Sequence, residues 1–76
     1  MTEKEISGLI GNRIAQLRKE AGYASKSSFA YNAKISSALY CRYEKGANLT
    51  INSLYRILKY HKVTFKEFFK EGFQDL

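Results

Sequence analysis

The sequence predicts an all-α fold, a compact five-helix bundle that forms a single domain over residues 1–76. Three observations support this prediction. Apolar residues recur at the spacing of a helix face. A serine or threonine able to cap a helix precedes each apolar segment, and the connections between segments are short, as in helical bundles. The hydrophobic fraction of 45% excludes a disordered chain.

The first helix is predicted to begin at a capping box, in which Thr2 and Glu5 satisfy free backbone N–H groups of the first turn. Its apolar face consists of Ile6, Leu9, Ile10, Ile14 and Leu17. Gly22 can end the helix in the left-handed conformation that glycine tolerates. Gly8 and Gly11 each weaken the helix by about 1 kcal/mol relative to alanine. They either permit close packing or mark a frayed start.

Serines begin the next two helices and threonines begin the last two. Ser25 can cap a helix that runs to about Ala33, and Ser36 can cap one that runs from Ser37 to about Lys45. Thr50 can cap the fourth helix. Thr64 and Glu67 form a second capping box that begins the fifth helix, and Gly72 ends it. On the fourth helix the side chains predicted to face inward are Leu54, Ile57, Leu58 and His61.

Residues 26–45 have the pattern of a helix-turn-helix unit, in which two short helices meet at a sharp corner. The unit needs a very small residue at its fifth place, which is Ala30, and apolar residues at five other places. Counted from Lys26, those places hold Phe29, Ala33, Ile35, Tyr40 and Tyr43. The second helix of such a unit is the right size to enter the major groove of DNA.

The charge of the chain is concentrated in its middle. The net charge is +6, and residues 13–62 contain ten Lys or Arg but only two acids, Glu20 and Glu44. No acid occurs from Ala21 to Tyr43. A central basic stretch between more acidic ends suits a polyanion better than a general bias in composition would. The alternative is a solvated basic face that binds no partner.

The remaining composition argues against catalysis, metal binding and membrane insertion. A single Cys41 cannot form an internal disulfide, so a cytoplasmic location is expected. One Cys and one His cannot make a metal site, and the five glycines form no phosphate-binding loop. We therefore expect no enzyme activity, no cofactor and no small-molecule ligand. Because no stretch is apolar enough to span a membrane and the first residues lack a charged, apolar segment, we expect neither a membrane span nor a secretory leader.

From about Ile10 to Phe69 the chain resembles the Cro/repressor-type (XRE-like) family of helix-turn-helix domains. The resemblance is carried by residues 14–18 (Ile-Ala-Gln-Leu-Arg), 29–30 (Phe-Ala), 35–36 (Ile-Ser) and 42–46 (Arg-Tyr-Glu-Lys-Gly), together with Leu54, Ile57, Val63 and Thr64. It implies a lambda-repressor-like five-helix bundle that binds double-stranded DNA as a homodimer and regulates transcription.

Three departures from the family pattern concern the backbone. The family commonly has glycine at the corner position, where this chain has Lys34. Lys34 must either adopt a left-handed conformation, at a cost of about 1 kcal/mol, or change the turn. One extra residue lies between Gly22 and Phe29, and Leu49 stands where a proline is often found. None of these positions is predicted to face the bases of DNA.

The resemblance places base contacts at Ser37, Ala38 and Arg42. This agrees with the helical pattern, because a helix that turns Tyr40 and Tyr43 inward turns those three residues and Cys41 outward. A guanidinium can bind guanine O6 and N7 together, although Arg42 contacting a phosphate is an equal alternative. Ala38 can meet a thymine methyl group, and Leu39 is the weaker candidate for that contact.

Phosphate contacts are predicted at Lys26, Lys34, Lys45 and Asn48. Lys26 occupies the start of the second helix, where family members usually have a glutamine that contacts the DNA backbone and where free amide groups favour an anion. Lys45 and Asn48 follow the recognition helix and resemble the next phosphate-contacting stretch of the family. The other basic side chains, Arg56, Lys59 and Lys62, are interpreted as a solvated face of the fourth helix.

Two structural roles also follow from the resemblance. Arg18 and Glu44 match positions that form an ion pair between the first helix and the end of the recognition helix. Phe68 is predicted to close the core, and the dimer interface is predicted at Phe65, Phe69 and Phe73, because the fifth helix supplies that contact in related phage repressors.

Two function classes remain open after this reading. The favoured one is a sequence-specific regulator that binds a palindromic operator, either a phage-type repressor or a restriction–modification controller. The alternative is a protein-interaction module, such as an antitoxin or an anti-repressor partner, that uses the same fold. The absence of acid from Ala21 to Tyr43 favours the regulator.

Overall fold

Five α-helices account for most of residues 2–73, the part of the chain that the computed structural model describes. The helices are α1 (Glu3–Glu20), α2 (Lys26–Ala33), α3 (Ser37–Glu44), α4 (Ile51–His61) and α5 (Phe65–Lys70). No β-strand occurs within these described residues. The Cα radius of gyration is 11.6 Å, close to the value of about 11 Å expected for a packed chain of this length. The all-α class is thus confirmed.

Each helix begins at the serine or threonine that the sequence predicts. The side chains of Thr2, Ser25, Ser36, Thr50 and Thr64 accept hydrogen bonds from backbone N–H groups of the first turn that follows. Thr2 and Thr64 form complete capping boxes, in which the carboxylates of Glu5 and Glu67 accept bonds from the cap backbone at 3.2 and 3.1 Å. The bond from the Thr64 backbone lowers the pKa of Glu67. These caps fix where the chain turns into each helix.

Two of the turns are made by lysines in the left-handed region. Lys34 ends α2 with φ 59° and ψ 42°, so the first of the two alternatives at the helix corner is realised. The N–H of Ile35 then donates to the carbonyl oxygen of Ala30 at 2.9 Å. Lys62 ends α4 in the same conformation, which the sequence did not indicate. Each costs about 1 kcal/mol that a glycine would avoid.

One continuous core holds the five helices together. Its buried apolar residues are Ile14, Leu17, Phe29, Ala30, Tyr40, Tyr43, Leu54, Ile57, Leu58, Phe68 and Phe73. Phe29 lies at the centre of an aromatic group, 4.8 Å from Tyr40, 5.1 Å from Tyr60 and 4.9 Å from His61 between ring centroids. Ala33 and Ile35 are partly buried against this core. The α2–α3 pattern read from the sequence therefore describes real packing.

Helix α1 approaches the end of α3 so closely that only glycine fits. A Cβ atom at Gly11 would lie 2.7 Å from the carbonyl oxygens of Tyr43 and Glu44. A Cβ at Gly46 would lie 3.0 Å from the Cα of Gly8, whereas one at Gly8 would meet nothing within 4 Å. Gly11 is therefore a packing glycine, which decides between the two interpretations that the sequence left open. Within residues 2–73, no helix has the length and apolar character required to cross a bilayer.

Candidate nucleic-acid interface

Helix α3 has one buried face and one open face. Tyr40 is fully buried, and Tyr43 and Glu44 are 7% and 9% exposed, so these three side chains anchor the helix. Ser37, Ala38 and Arg42 are exposed, and Cys41 is half-buried between the two faces. The three residues predicted to contact bases therefore share the solvent side of one helix.

Leu39 is also exposed, by 39%, but it lies sideways on the helix. Together with Ile35, Tyr43, Ser53 and Arg56, it lines a small cavity of about 50 Å³ between α3 and α4. This location agrees with the lower weight given to Leu39 as a base-contacting residue.

A serine pair connects the first turns of α2 and α3. The Oγ atoms of Ser27 and Ser37 are 3.1 Å apart, and both side chains are exposed. Neither first turn contains an acidic residue. Two helix N-termini with free N–H groups thus lie beside each other, which favours an anion. Sequence reasoning did not identify Ser27, although its position two residues after the Ser25 cap places it in the first turn.

The four residues predicted to contact phosphates lie at or near the ends of α2 and α3. Lys26 is half-buried at the first position of α2, and Lys34 is exposed at the corner between the two helices. Lys45 and Asn48 are exposed after α3. Lys26 thus lies at the N-terminus of α2, Lys34 at its C-terminus, and Lys45 and Asn48 beyond the C-terminus of α3.

The only acid between residues 21 and 66 is Glu44, and it is neutralised internally. Glu44 forms a salt bridge with Arg18, with the Nε–Oε2 distance at 2.7 Å and the Nη2–Oε1 distance at 3.3 Å. The two side chains are 5% and 3% exposed. Hydrogen bonding to Glu44 raises the pKa of Arg18. No carboxylate from this long stretch consequently opposes the positive charge of its surface.

Arg18 also fixes the connection between α1 and α2. Its Nη1 atom donates to the carbonyl oxygens of Tyr23 and Ala24 at 2.7 and 3.0 Å. One guanidinium therefore ties α1, the α1–α2 loop and the end of α3 together. The hydroxyl of Tyr40 is buried without a hydrogen-bond partner within residues 2–73. Burial raises the pKa of Tyr40, and the nearby Glu44 carboxylate adds to the effect.

Arg13 has a structural role that the sequence did not reveal. Its Nε atom donates to the carbonyl oxygen of Phe68 at 3.2 Å, and its guanidinium carbon lies 5.8 Å from the centre of the Phe68 ring. A second bond at 3.1 Å goes to the side chain of Gln16. Arg13 is only 9% exposed. It therefore joins α1 to α5. Arg13 contributes little to the basic surface, although its position in the sequence groups it with the basic residues of the central stretch.

The three phenylalanines predicted at a dimer interface have different environments. Phe69 is 38% exposed, Phe65 is half-buried against Tyr55, and Phe73 is only 7% exposed. The Phe73 ring lies 4.8 Å from that of Phe69 and 5.7 Å from that of the core residue Phe68. Phe73 therefore packs into its own chain, and Phe69 offers the most surface of the three.

His61 lies in the interior beside the α2–α3 unit. Its ring stacks on Phe29 with an angle of 5° between the planes. Its Nε2 atom is buried without a partner among the described residues, and burial lowers the pKa of the imidazole. This arrangement agrees with a core histidine on the inward side of α4.

Comparison of the chain with protein-family models, with curated proteins and with solved structures finds no match in any of the three.

Proposed function

We propose that this protein is a sequence-specific DNA-binding regulator of the Cro/repressor helix-turn-helix type, acting as a homodimer at a palindromic operator. The observation that supports this most is the open face of α3, where Ser37, Ala38 and Arg42 are exposed on an anchored helix. The surrounding stretch from residue 21 to 66 has no carboxylate except the buried Glu44. A rigid helix in a positive environment suits the major groove.

The dimensions of the α2–α3 unit support the same proposal. An α-helix with its side chains is about 10–12 Å across, which fits the width of the major groove, about 12 Å, and the eight residues of α3 make it about 12 Å long. Helix α2 would cross the DNA backbone, as the first helix of such units does. Phage-type repressors and restriction–modification controllers are both compatible with a domain of this kind.

Base recognition would come from the tips of the exposed α3 side chains. Arg42 can bind the O6 and N7 atoms of a guanine, a contact that discriminates against other bases by about 1–3 kcal/mol. Ser37 can donate or accept a hydrogen bond, so it selects no single base. The hydroxyl of Ser27 at 3.1 Å constrains the orientation of Ser37. Ala38 can contact a thymine methyl group.

Phosphate binding would come from Lys26, Lys34, Lys45 and Asn48 together with the N-termini of α2 and α3. About four phosphates per subunit give about eight for a dimer. The logarithm of the affinity should then fall with the logarithm of the salt concentration at a slope near −7.

Self-association would use Phe69, the most exposed of the three phenylalanines, because Phe73 is buried within its own chain and Phe65 is half-buried against Tyr55. Two subunits related by a two-fold axis would read half-sites about 34 Å apart, one turn of the DNA helix.

Selection of bound duplexes from a random oligonucleotide pool tests the proposal. We expect a palindromic motif whose guanine preference disappears in Arg42→Ala, with the fold unchanged by circular dichroism. A pool that yields no motif, combined with a flat salt dependence on mixed-sequence DNA, would exclude the regulator and favour the protein-interaction module.

A further inference from the structure

A groove between α4 and α5 lies apart from the proposed DNA surface. It has a volume of about 400 Å³ and is lined by Tyr55, Leu58, Lys59, Lys62, Val63, Thr64 and Phe65. The rings of Tyr55 and Phe65 stack across it, with centroids 6.2 Å apart and planes at 15°. Tyr55 is 53% exposed. The α4–α5 groove therefore presents an aromatic surface that residues 2–73 leave uncovered.

Both charged residues that line the α4–α5 groove are lysines. Lys59 and Lys62 are both exposed, and none of the seven lining residues is acidic. Lys62 ends α4 in the left-handed conformation. Its N–H donates to the carbonyl oxygen of Lys59 at 3.1 Å, which helps to fix its backbone. Two ammonium groups thus border an apolar floor.

The orientation of α4 separates this groove from α3. Ser53 and Arg56 face α3, where they line the small cavity beside Leu39. Tyr55 lies on another side of the same helix, because successive residues are rotated by about 100°, and Lys59 lies one turn beyond Arg56 toward the end of α4. A molecule in the α4–α5 groove therefore need not touch the exposed face of α3.

We propose that the α4–α5 groove binds an acidic, apolar segment of a partner protein. Apolar side chains of the segment would cover Tyr55, Leu58 and Phe65, and its carboxylates would pair with the two lysines. A DNA backbone would satisfy the lysines but leave the aromatic floor exposed to water. A second copy of this chain, placed across a two-fold axis, would bring like-charged lysine pairs together. An acidic, apolar segment would both cover the aromatic floor and neutralise the two lysines at the border of the groove.

The test uses a fluorescein-labelled peptide in which leucines and phenylalanines are separated by glutamates, with binding to the full chain followed by anisotropy. We expect Lys59→Glu and Tyr55→Ser each to weaken binding by about fivefold to tenfold. Lys19→Glu is the matched control, since Lys19 is also an exposed lysine in the last turn of a helix. It should change the affinity less than about twofold.

Any of the following results would overturn the proposal. The first is no binding at protein concentrations of about 0.1 mM. The second is equal weakening by Lys19→Glu, or equal binding of a peptide with lysines in place of the glutamates. The third is loss of self-association in Tyr55→Ser, which would assign the groove to a second copy. The fourth is a loss of duplex affinity in Lys59→Glu that matches the loss in Arg42→Ala. Because the DNA proposal is tested through α3, failure of either proposal can be recognised separately.

Discussion

Single residues set the charge and the rigidity of the proposed interface. Arg18 has four hydrogen bonds that join two helices and a loop. His61 supports the same region from beneath by stacking on Phe29. Both residues act on α3 and its neighbours through buried contacts, so their loss should be felt in stability and in binding together.

Replacement of Glu44 by alanine should destabilise the fold by about 3–5 kcal/mol, because it leaves the buried guanidinium of Arg18 without its counter-charge. Thermal unfolding followed by circular dichroism measures the loss, and duplex affinity should fall with it. The control is the double variant Arg18→Met with Glu44→Leu, which removes both charges and should recover much of the stability. A Glu44→Ala protein that melts and binds like the wild type would contradict a structural role for the pair.

The chain should lose stability as the pH falls through the range in which His61 titrates. Burial lowers the folded-state pKa of His61 below its ordinary value, which is about 6.5 in the unfolded chain. The unfolded state therefore binds the proton first, so stability is full above pH about 6.5 and declines below it until the folded-state pKa is reached. Urea unfolding at several pH values measures this decline.

His61→Leu is the comparison for that measurement, since the chain has no other histidine. In this variant the stability should be nearly independent of pH between about 5.5 and 7.5, because no other side chain has its ordinary pKa there. An unchanged slope in the leucine variant would show that another group is responsible.

At the scale of the elements, the contact between α1 and the end of α3 decides how α3 is presented. Gly11 and Gly46 let the two backbones touch, and Arg18 forms its salt bridge with the last residue of α3. Arg13 attaches α1 to α5 in a similar way, because it donates a hydrogen bond to the carbonyl oxygen of Phe68. Helix α1 is thus the element against which the two predicted interfaces, on α3 and on α5, are positioned.

Alanine at the two α1 glycines should have opposite effects. Gly11→Ala places a methyl group 2.7 Å from two carbonyl oxygens and should destabilise the fold by about 1–3 kcal/mol. Gly8→Ala meets nothing within 4 Å, so it should stabilise α1 by up to about 1 kcal/mol through helix propensity. Chemical denaturation of the two variants measures both effects. Equal changes at the two sites would mean that the helices are not packed this closely.

Local features of the fold were predictable from the sequence because they are set by neighbouring residues. Ser25, Ser36 and Thr50 mark helix starts through bonds that span three residues, and the glycines mark ends. The bond from Arg13 to Phe68 spans 55 residues, and nothing near either residue indicates it. The role of Gly11 was ambiguous for the same reason, because helix propensity is identical for a packed and a frayed glycine.

The candidate site was predictable to a similar extent. Helical spacing places Tyr40 and Tyr43 inward, so the exposure of Ser37, Ala38 and Arg42 follows from the pattern. The Ser27–Ser37 contact did not follow, because it depends on how two helices lie across the corner. The distribution of the phenylalanines between core and surface depends on the tertiary packing of α5. Phe73 could therefore not be separated from Phe69 by sequence alone.

For the molecule as a whole, the proposed function requires one small domain to acquire the affinity of a regulator. In the proposed complex a single α3 helix would cover one half-site, and a pair of subunits would double the number of phosphate and base contacts. Because α5 exposes Phe69, the proposed self-association and the proposed DNA binding would use different parts of the chain, and each could be changed independently.

Phe69→Gln should raise the dimer dissociation constant by at least about tenfold, the loss expected for one aromatic anchor. Sedimentation velocity over a concentration series measures it, and circular dichroism verifies that the helices remain. Tyr31→Gln is the control, because Tyr31 is an aromatic that is 85% exposed on α2, outside the proposed contact. A wild-type chain that stays monomeric at about 0.1 mM would remove the dimer from the proposal.

The lysine at the α2–α3 corner implies a trade-off between thermostability and affinity for nucleic acid. Glycine would adopt the left-handed backbone at position 34 with less strain than Lys34 does. However, glycine would also remove a positive charge from the edge of the proposed DNA-binding surface. The variant that resists heating best at this corner is therefore expected to release nucleic acid most readily as salt is added.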